Sequence, residues 1–141
     1  MLPMLPHHVP APPGRTWYCL GMYRLATRTV RIGGARVKAE IADGPVSRML
    51  GLMFRKRLAK DAGMLLCFRR SGDHAIHMMN VRFPLDVIFV SSAGRIVCIH
   101  RAVPGEWPFR AGKPVRYVLE VNAGVCRRHR IRIGDRCHLP G

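Results

Sequence analysis

From Val30 onward the apolar positions fall in short runs broken by turn signals, without the sustained 3.6-residue period of a helical protein. Val37, Ala39 and Ile41 alternate with Lys38 and Glu40, so one face of this segment suits a core and the other suits water, as in a half-buried strand. Asp43-Gly44-Pro45 predicts a helix start, with Asp43 as cap and Pro45 in the first turn. Val46, Met49, Leu50 and Met53 share one face of that helix, and Gly51 is its expected stop. Gly63–Phe68 predicts a strand, Arg69–Asp73 a turn, and His74–Asn80 another strand before a bend at Pro84. Leu85–Val90 and Arg95–Val103 predict two strands joined through Ser91–Gly94. The prolines and glycines of residues 104–114 predict a long loop around Trp107 and Phe109. Val115–Val121 predicts a strand, Asn122 the cap of a short helix over Ala123–His129, and Arg130–Cys137 a last strand interrupted at Gly134-Asp135.

Many short strands at close spacing with one or two short helices imply a mostly β (α+β) fold, a single compact β-sandwich or small barrel. A chain of 141 residues suits one domain. Residues 30–141 are expected to form it, and residues 1–29 are expected to be a disordered leader. The first 13 residues hold five of the eleven prolines, which prevents a helix, and no basic segment precedes an apolar stretch as a secretion signal requires. No run approaches the ~18 consecutive apolar residues of a membrane span.

Charge changes the picture more than composition does. Lysine and arginine number 24 against 8 acids, a net charge of +16. That balance invites a polyanion partner. Yet 20 of the 24 are arginine, a bias that GC-rich coding alone produces, and the densest run, Arg127, Arg128, Arg130 and Arg132, has no interleaved aromatics for base stacking. Nucleic-acid association through these four residues and the basic N-terminus is therefore an alternative rather than the favoured expectation. The five cysteines, an odd number with no CxxC pair, are not a disulfide framework, and a reduced, cytoplasmic protein is expected.

Candidate chemistry centres on two acids. Asp86 and Glu120 stand inside apolar strands, where an unpaired carboxylate costs several kcal/mol. If strand 74–80 neighbours strand 115–121, then Met78, Asn80, Asp86, Glu120 and Asn122 converge on one site. His77 beside Met78 supplies a donor pair for a soft metal. No nucleophile elbow, P-loop or zinc-ligand spacing is present.

Several blocks in order carry a resemblance: Val37 to Ile41, Gly51-Leu52-Met53-Phe54-Arg55, Gly63-Met64-Leu65, His77-Met78-Met79-Asn80 to Pro84-Leu85-Asp86, Gly94-Arg95-Ile96-Val97, and Leu119-Glu120-Val121-Asn122-Ala123-Gly124 with Gly134-Asp135. Together, from about residue 37 to 137, they resemble the DUF192 (UPF0127) family. The resemblance implies a compact β-rich domain with no established activity, in a family with both exported and non-exported members. Where the family often has an aromatic, this chain has His77.

The leading expectation is non-catalytic binding of a small ligand or protein partner through the polar site around Asn80, Asp86 and Glu120. The alternatives are nucleic-acid association, an enzyme using Asp86 or Glu120 as general acid or base, and soft-metal binding by His77 and Met78. No resident metal or cofactor is expected.

Overall fold

The computed structural model describes residues 25–140. Its elements in chain order are β1 (Thr27–Ile32), β2 (Ala35–Ala42), α1 (Pro45–Leu50), β3 (Ala62–Gly72), β4 (Leu85–Val90), β5 (Ile96–Ala102), β6 (Val115–Asn122), α2 (Val125–Arg128) and β7 (Cys137–His138). The strands form one sheet in the order β5-β4-β6-β3-β2-β1-β7. Neighbours are antiparallel except β2 and β3, which run parallel because the connection between them crosses over through α1.

The sheet curls into a half-barrel whose two edges meet at one end. Ile96 donates its N–H to the Asp135 carbonyl (3.0 Å), Gly134 to the Ile96 carbonyl (2.8 Å) and Cys137 to the Gly94 carbonyl (2.8 Å). The mostly β architecture with two short helices expected from the pattern is therefore the one observed, in barrel-like form. Alternation along the strands divides the apolar residues into two clusters. The barrel interior holds Val30, Ile32, Leu65, Ile88, Val90 and Leu119, closed at one end by Val125, Cys126 and Ile131. The outer face of β3, β4 and β6 holds Met64, Leu66, Val87, Phe89 and Val118, covered by Leu52, Ile76, Met78 and Val81 from the loops.

Several local expectations change. The N-cap of α1 is Gly44 rather than Asp43: Gly44 donates its N–H to Ser47 Oγ (3.1 Å), and that hydroxyl donates to the Gly44 carbonyl (3.1 Å). Leu50 alone of the expected helix face is buried, and Met49 is 61% exposed. Residues 69–72 extend β3 rather than turning, because past an irregularity after Cys67 the strand re-enters register with β6 at Gly72 and Val115. Segment 74–80 is not a strand. It makes one bridge, Ile76 to Phe109, then turns, with Asn80 in the left-handed region (φ 59°). It therefore does not lie beside β6, whose neighbours are β3 and β4. Gly124 (φ 97°), not Asn122, starts α2, and of the expected last strand only the end pairs, Arg136 in a single bridge to Arg95 and Cys137 against β1. The leader expected over residues 1–29 falls, up to residue 24, outside the described residues, and β1 starts at Thr27. Among the described residues no helix is long and apolar enough to cross a membrane.

Gly63 marks the tightest strand contact. A Cβ there would lie 2.8 Å from the Glu120 carbonyl oxygen and 2.8 Å from Val37 Cγ1. Gly63→Ala is expected to cost about 1–3 kcal/mol through strand displacement, seen as a lower urea midpoint at unchanged slope. An unaltered midpoint would show that β2 and β6 can spread without penalty.

Candidate functional site

The strand register decides where the two acids point. Glu120 pairs with Met64 on one side and Val87 on the other, and Met64 pairs in turn with Glu40. Directly opposed residues share a face, so Glu40, Met64, Glu120 and Val87 form a row on the outer face. Asp86 pairs with Val121, one step out of phase, and faces the barrel interior. The expected convergence of Met78, Asn80, Asp86, Glu120 and Asn122 does not occur, because the sheet itself separates the two carboxylates.

Both oxygens of Asp86 are engaged. Its Oδ2 accepts the N–H groups of Gly124 and Cys126 (3.0 Å each), and its Oδ1 accepts Arg101 Nε (2.7 Å). It holds the start of α2 against β4. Met78 is wholly buried in the outer-face core. Asn80 is exposed in its turn, and its carbonyl accepts the Phe54 N–H (2.9 Å). Asn122 lies on the Glu120 face, but its amide donates to the carbonyls of Leu58 (2.9 Å) and Ala59 (3.2 Å), clamping the turn before β3.

The paired donors His77 and Met78 diverge. Met79 donates its N–H to His77 Nδ1 (3.2 Å), which makes Nδ1 an acceptor and assigns the ring proton to Nε2, within 3.2 Å of the Met49 carbonyl. Both ring nitrogens are thus engaged with backbone while the Met78 thioether is in the core, so the two do not form a soft-metal site. Among the described residues no three His, Cys, Asp or Glu side chains gather as metal ligands. Burial pushes the Cys126 thiol up to about 12, helped by the neighbouring Asp86 charge, and burial alone pushes Cys137 up to about 11. Neither is a nucleophile at neutral pH. Arg127, Arg128, Arg130 and Arg132 are all exposed around α2 and the turn after it.

Glu120 is different. It is 4% exposed, yet it makes no ion pair or hydrogen bond with another described residue. It lies on the floor of a cavity of about 330 Å³ between α1, segment 75–77 and the outer face, with Arg48, Met49, Met53, Phe68 and His77 among its walls. Its Oε2 lies beneath Gly51, where a Cβ would be 3.7 Å away. Burial pushes its carboxyl up to about 7, against the opposing effect of the Arg55 charge. Arg55 itself grips Glu40 with both terminal nitrogens, and its Nε is buried without a partner. Arg48 is held at the cavity wall by the carbonyls of Asp43 and Cys67 (3.1 Å to the latter), and its guanidinium lies 5.4 Å from the Phe68 ring centroid. The arrangement combines an apolar chamber with one carboxyl that changes charge near neutrality. Sequence reasoning found Glu120 but missed the walls from α1 and His77. The signal available was Met49, an apolar side chain on a helix too short to bury it.

The DUF192 family model, described as Uncharacterized ACR, COG1430, matches residues 28–139. A UPF0127 protein of Pyrococcus furiosus is 31% identical over 102 residues, covering 72% of this chain and 85% of that relative. A crystal structure of a protein of unknown function from Novosphingobium aromaticivorans superposes with a TM-score of 0.79 at 31% identity, covering 84% of this chain and 89% of that one. One from Sinorhizobium meliloti, described as a candidate transcription regulator, superposes with a TM-score of 0.76 at 38% identity, covering 80% of this chain and 93% of that one.

Proposed function

The chain belongs to the DUF192 family, and within that family we propose that it is a small-ligand-binding domain whose site is the cavity over Glu120. The observation that carries this reading is Glu120, a residue 4% exposed whose carboxyl faces a cavity of about 330 Å³ and bonds to no other described residue. That volume falls in the range of about 300–1,000 Å³ typical of small-molecule sites. Such a group costs stability unless something arrives to satisfy it. The apolar walls favour a ligand with a compact hydrocarbon body, and the carboxyl favours one amine or other strong hydrogen-bond donor at its inner end.

The test compares amines and alcohols of the same carbon skeleton by thermal shift and calorimetry, on the protein and on Glu120→Gln. Amines are expected to stabilise the protein more than the matched alcohols, and Gln is expected to abolish the difference. An ammonium ion requires the carboxylate, so its affinity should rise about tenfold between pH 6 and pH 8 as Glu120 loses its proton near 7. Equal, pH-independent responses to amine and alcohol in both proteins would end this reading.

A second reading is general acid–base catalysis, favoured by the same carboxyl lying near 7, where an acid and a base are both available. Asp86, with its three hydrogen bonds, does not take part in it. Catalysis predicts that Glu120→Gln keeps ligand affinity and loses turnover, whereas simple binding predicts that it loses affinity.

A further inference from the structure

We propose that the gap beside the first half of β2, framed by Arg36, Lys60 and Arg128, is a phosphate-binding site that seats the backbone of double-stranded nucleic acid against the outer face of β1 and β2. This site lies apart from the Glu120 cavity and does not depend on it.

The gap follows from strand lengths. β3 begins opposite β2 at the Lys38–Ala62 pair, so Ala35, Arg36 and Val37 have no strand on that side. The space left is about 160 Å³, and the end of α2 closes it with Val125, Arg128 and His129. Lys38 donates its N–H to the Asp61 carbonyl (2.8 Å) on the β3 side. Backbone groups two residues apart in a strand point the same way, so the Arg36 N–H is aimed at the gap. Three cationic side chains and a backbone donor therefore face it, with Asp61 the one carboxylate among its lining residues. It is too small for a whole small-molecule ligand of ordinary size and suits a single head group such as a phosphate.

Outside the gap the charge continues in register. Arg31 lies directly opposite Arg36 on one side and His138 on the other, and Lys38 lies opposite Thr29 in the next row. All five side chains are exposed. Like charges placed directly across a sheet repel and destabilise it, and a row of phosphates relieves that repulsion. Neither β1, β2 nor α2 contains an aromatic residue, so stacking on splayed single-stranded bases has no platform there. None of the exposed large hydrophobic side chains lies on these elements, so they offer no apolar anchor for a lipid surface. A duplex backbone needs only the charges. Of the arginine-rich run at 127–132, Arg128 is the member that lines the gap.

The test is anisotropy of a labelled duplex of about 20 base pairs, titrated with the full chain between about 50 and 300 mM KCl. Two triple variants are compared, each removing three charges: Arg36→Gln/Lys60→Gln/Arg128→Gln at the gap, and Arg69→Gln/Arg70→Gln/Arg82→Gln elsewhere on the surface. Each phosphate contact contributes roughly 0.9 to the slope of log affinity against log salt. The gap variant is expected to lose about 2–3 from that slope and more than about tenfold in affinity at low salt, and the remote variant to change affinity less than about threefold. If the gap variant does not melt cooperatively, Arg31→Gln/Lys38→Gln replaces it, with an expected slope loss of about 1–2. Equal losses in the gap and remote variants would show generic charge attraction and overturn the proposal. So would the absence of duplex binding, an unchanged slope in the replacement variant, or a preference for phosphatidylserine vesicles over the duplex.

Discussion

Asp86→Ala is expected to destabilise the protein by about 3–5 kcal/mol, a fall in melting temperature of roughly 10–20 °C for a domain of this size. The cost comes from what the carboxylate leaves behind. The N–H groups of Gly124 and Cys126 lose their acceptor at the start of α2, and each stranded buried donor costs about 1–3 kcal/mol. The ion pair with Arg101 contributes little, because that guanidinium is 56% exposed and water screens it. Arg101→Ala should therefore cost less than about 1 kcal/mol. Urea denaturation of the two variants separates the contributions. Comparable losses in both would mean that the ion pair, rather than the anchoring of α2, is what Asp86 supplies.

Glu120→Gln should move stability the other way, and only at one end of the pH range. The carboxyl titrates near its ordinary 4.5 when unfolded and near 7 when folded. Between those values the native state holds a proton that the unfolded chain has released, so stability falls as pH rises from about 4.5 through about 7 and levels off above. The full effect is about 3 kcal/mol. Glutamine is neutral throughout and removes the slope. The variant should match the parent near pH 5 and exceed it by up to about 3 kcal/mol at pH 8, measured by urea unfolding at both values. A parent and variant that stay parallel across the range would mean that Glu120 is solvated or paired in solution. A group that lowers stability at working pH and faces a cavity is what a functional site leaves in a fold.

The contrast between the two acids explains what the sequence could and could not disclose. Alternation at Val37–Ile41 and the apolar run at Leu85–Val90 located β2 and β4 directly, because one-sided or two-sided burial imposes those patterns. The apolar setting of Asp86 and Glu120 likewise announced two carboxyls needing explanation. Their faces were not legible. A face depends on the register between β4 and β6, and a one-residue shift exchanges inside for outside. Segment 74–80 misled because Ile76 and Met78 alternate as a strand would, although a left-handed Asn80 and a single bridge to Phe109 make it a cover for the outer core. Residues 69–72 misled in the opposite direction. Their Ser-Gly turn signal was overridden by renewed pairing with Val115. The walls of the Glu120 cavity come from α1, the loops after α1 and after β3, and the strands β3 and β6, contacts that no local pattern encodes.

The pairing of Arg31 with His138 sets a condition on biosynthesis. β1 and β7 lie side by side at Arg31 and Ile32, so this end of β1 emerges from the ribosome long before the partner that pairs with it exists. Until translation passes the final strand, β1 presents an unpaired edge to every nascent chain nearby. The cations at Arg28 and Arg31 give that waiting edge electrostatic protection against self-association, and closing so distant a contact makes slow folding the expected kinetics for this molecule.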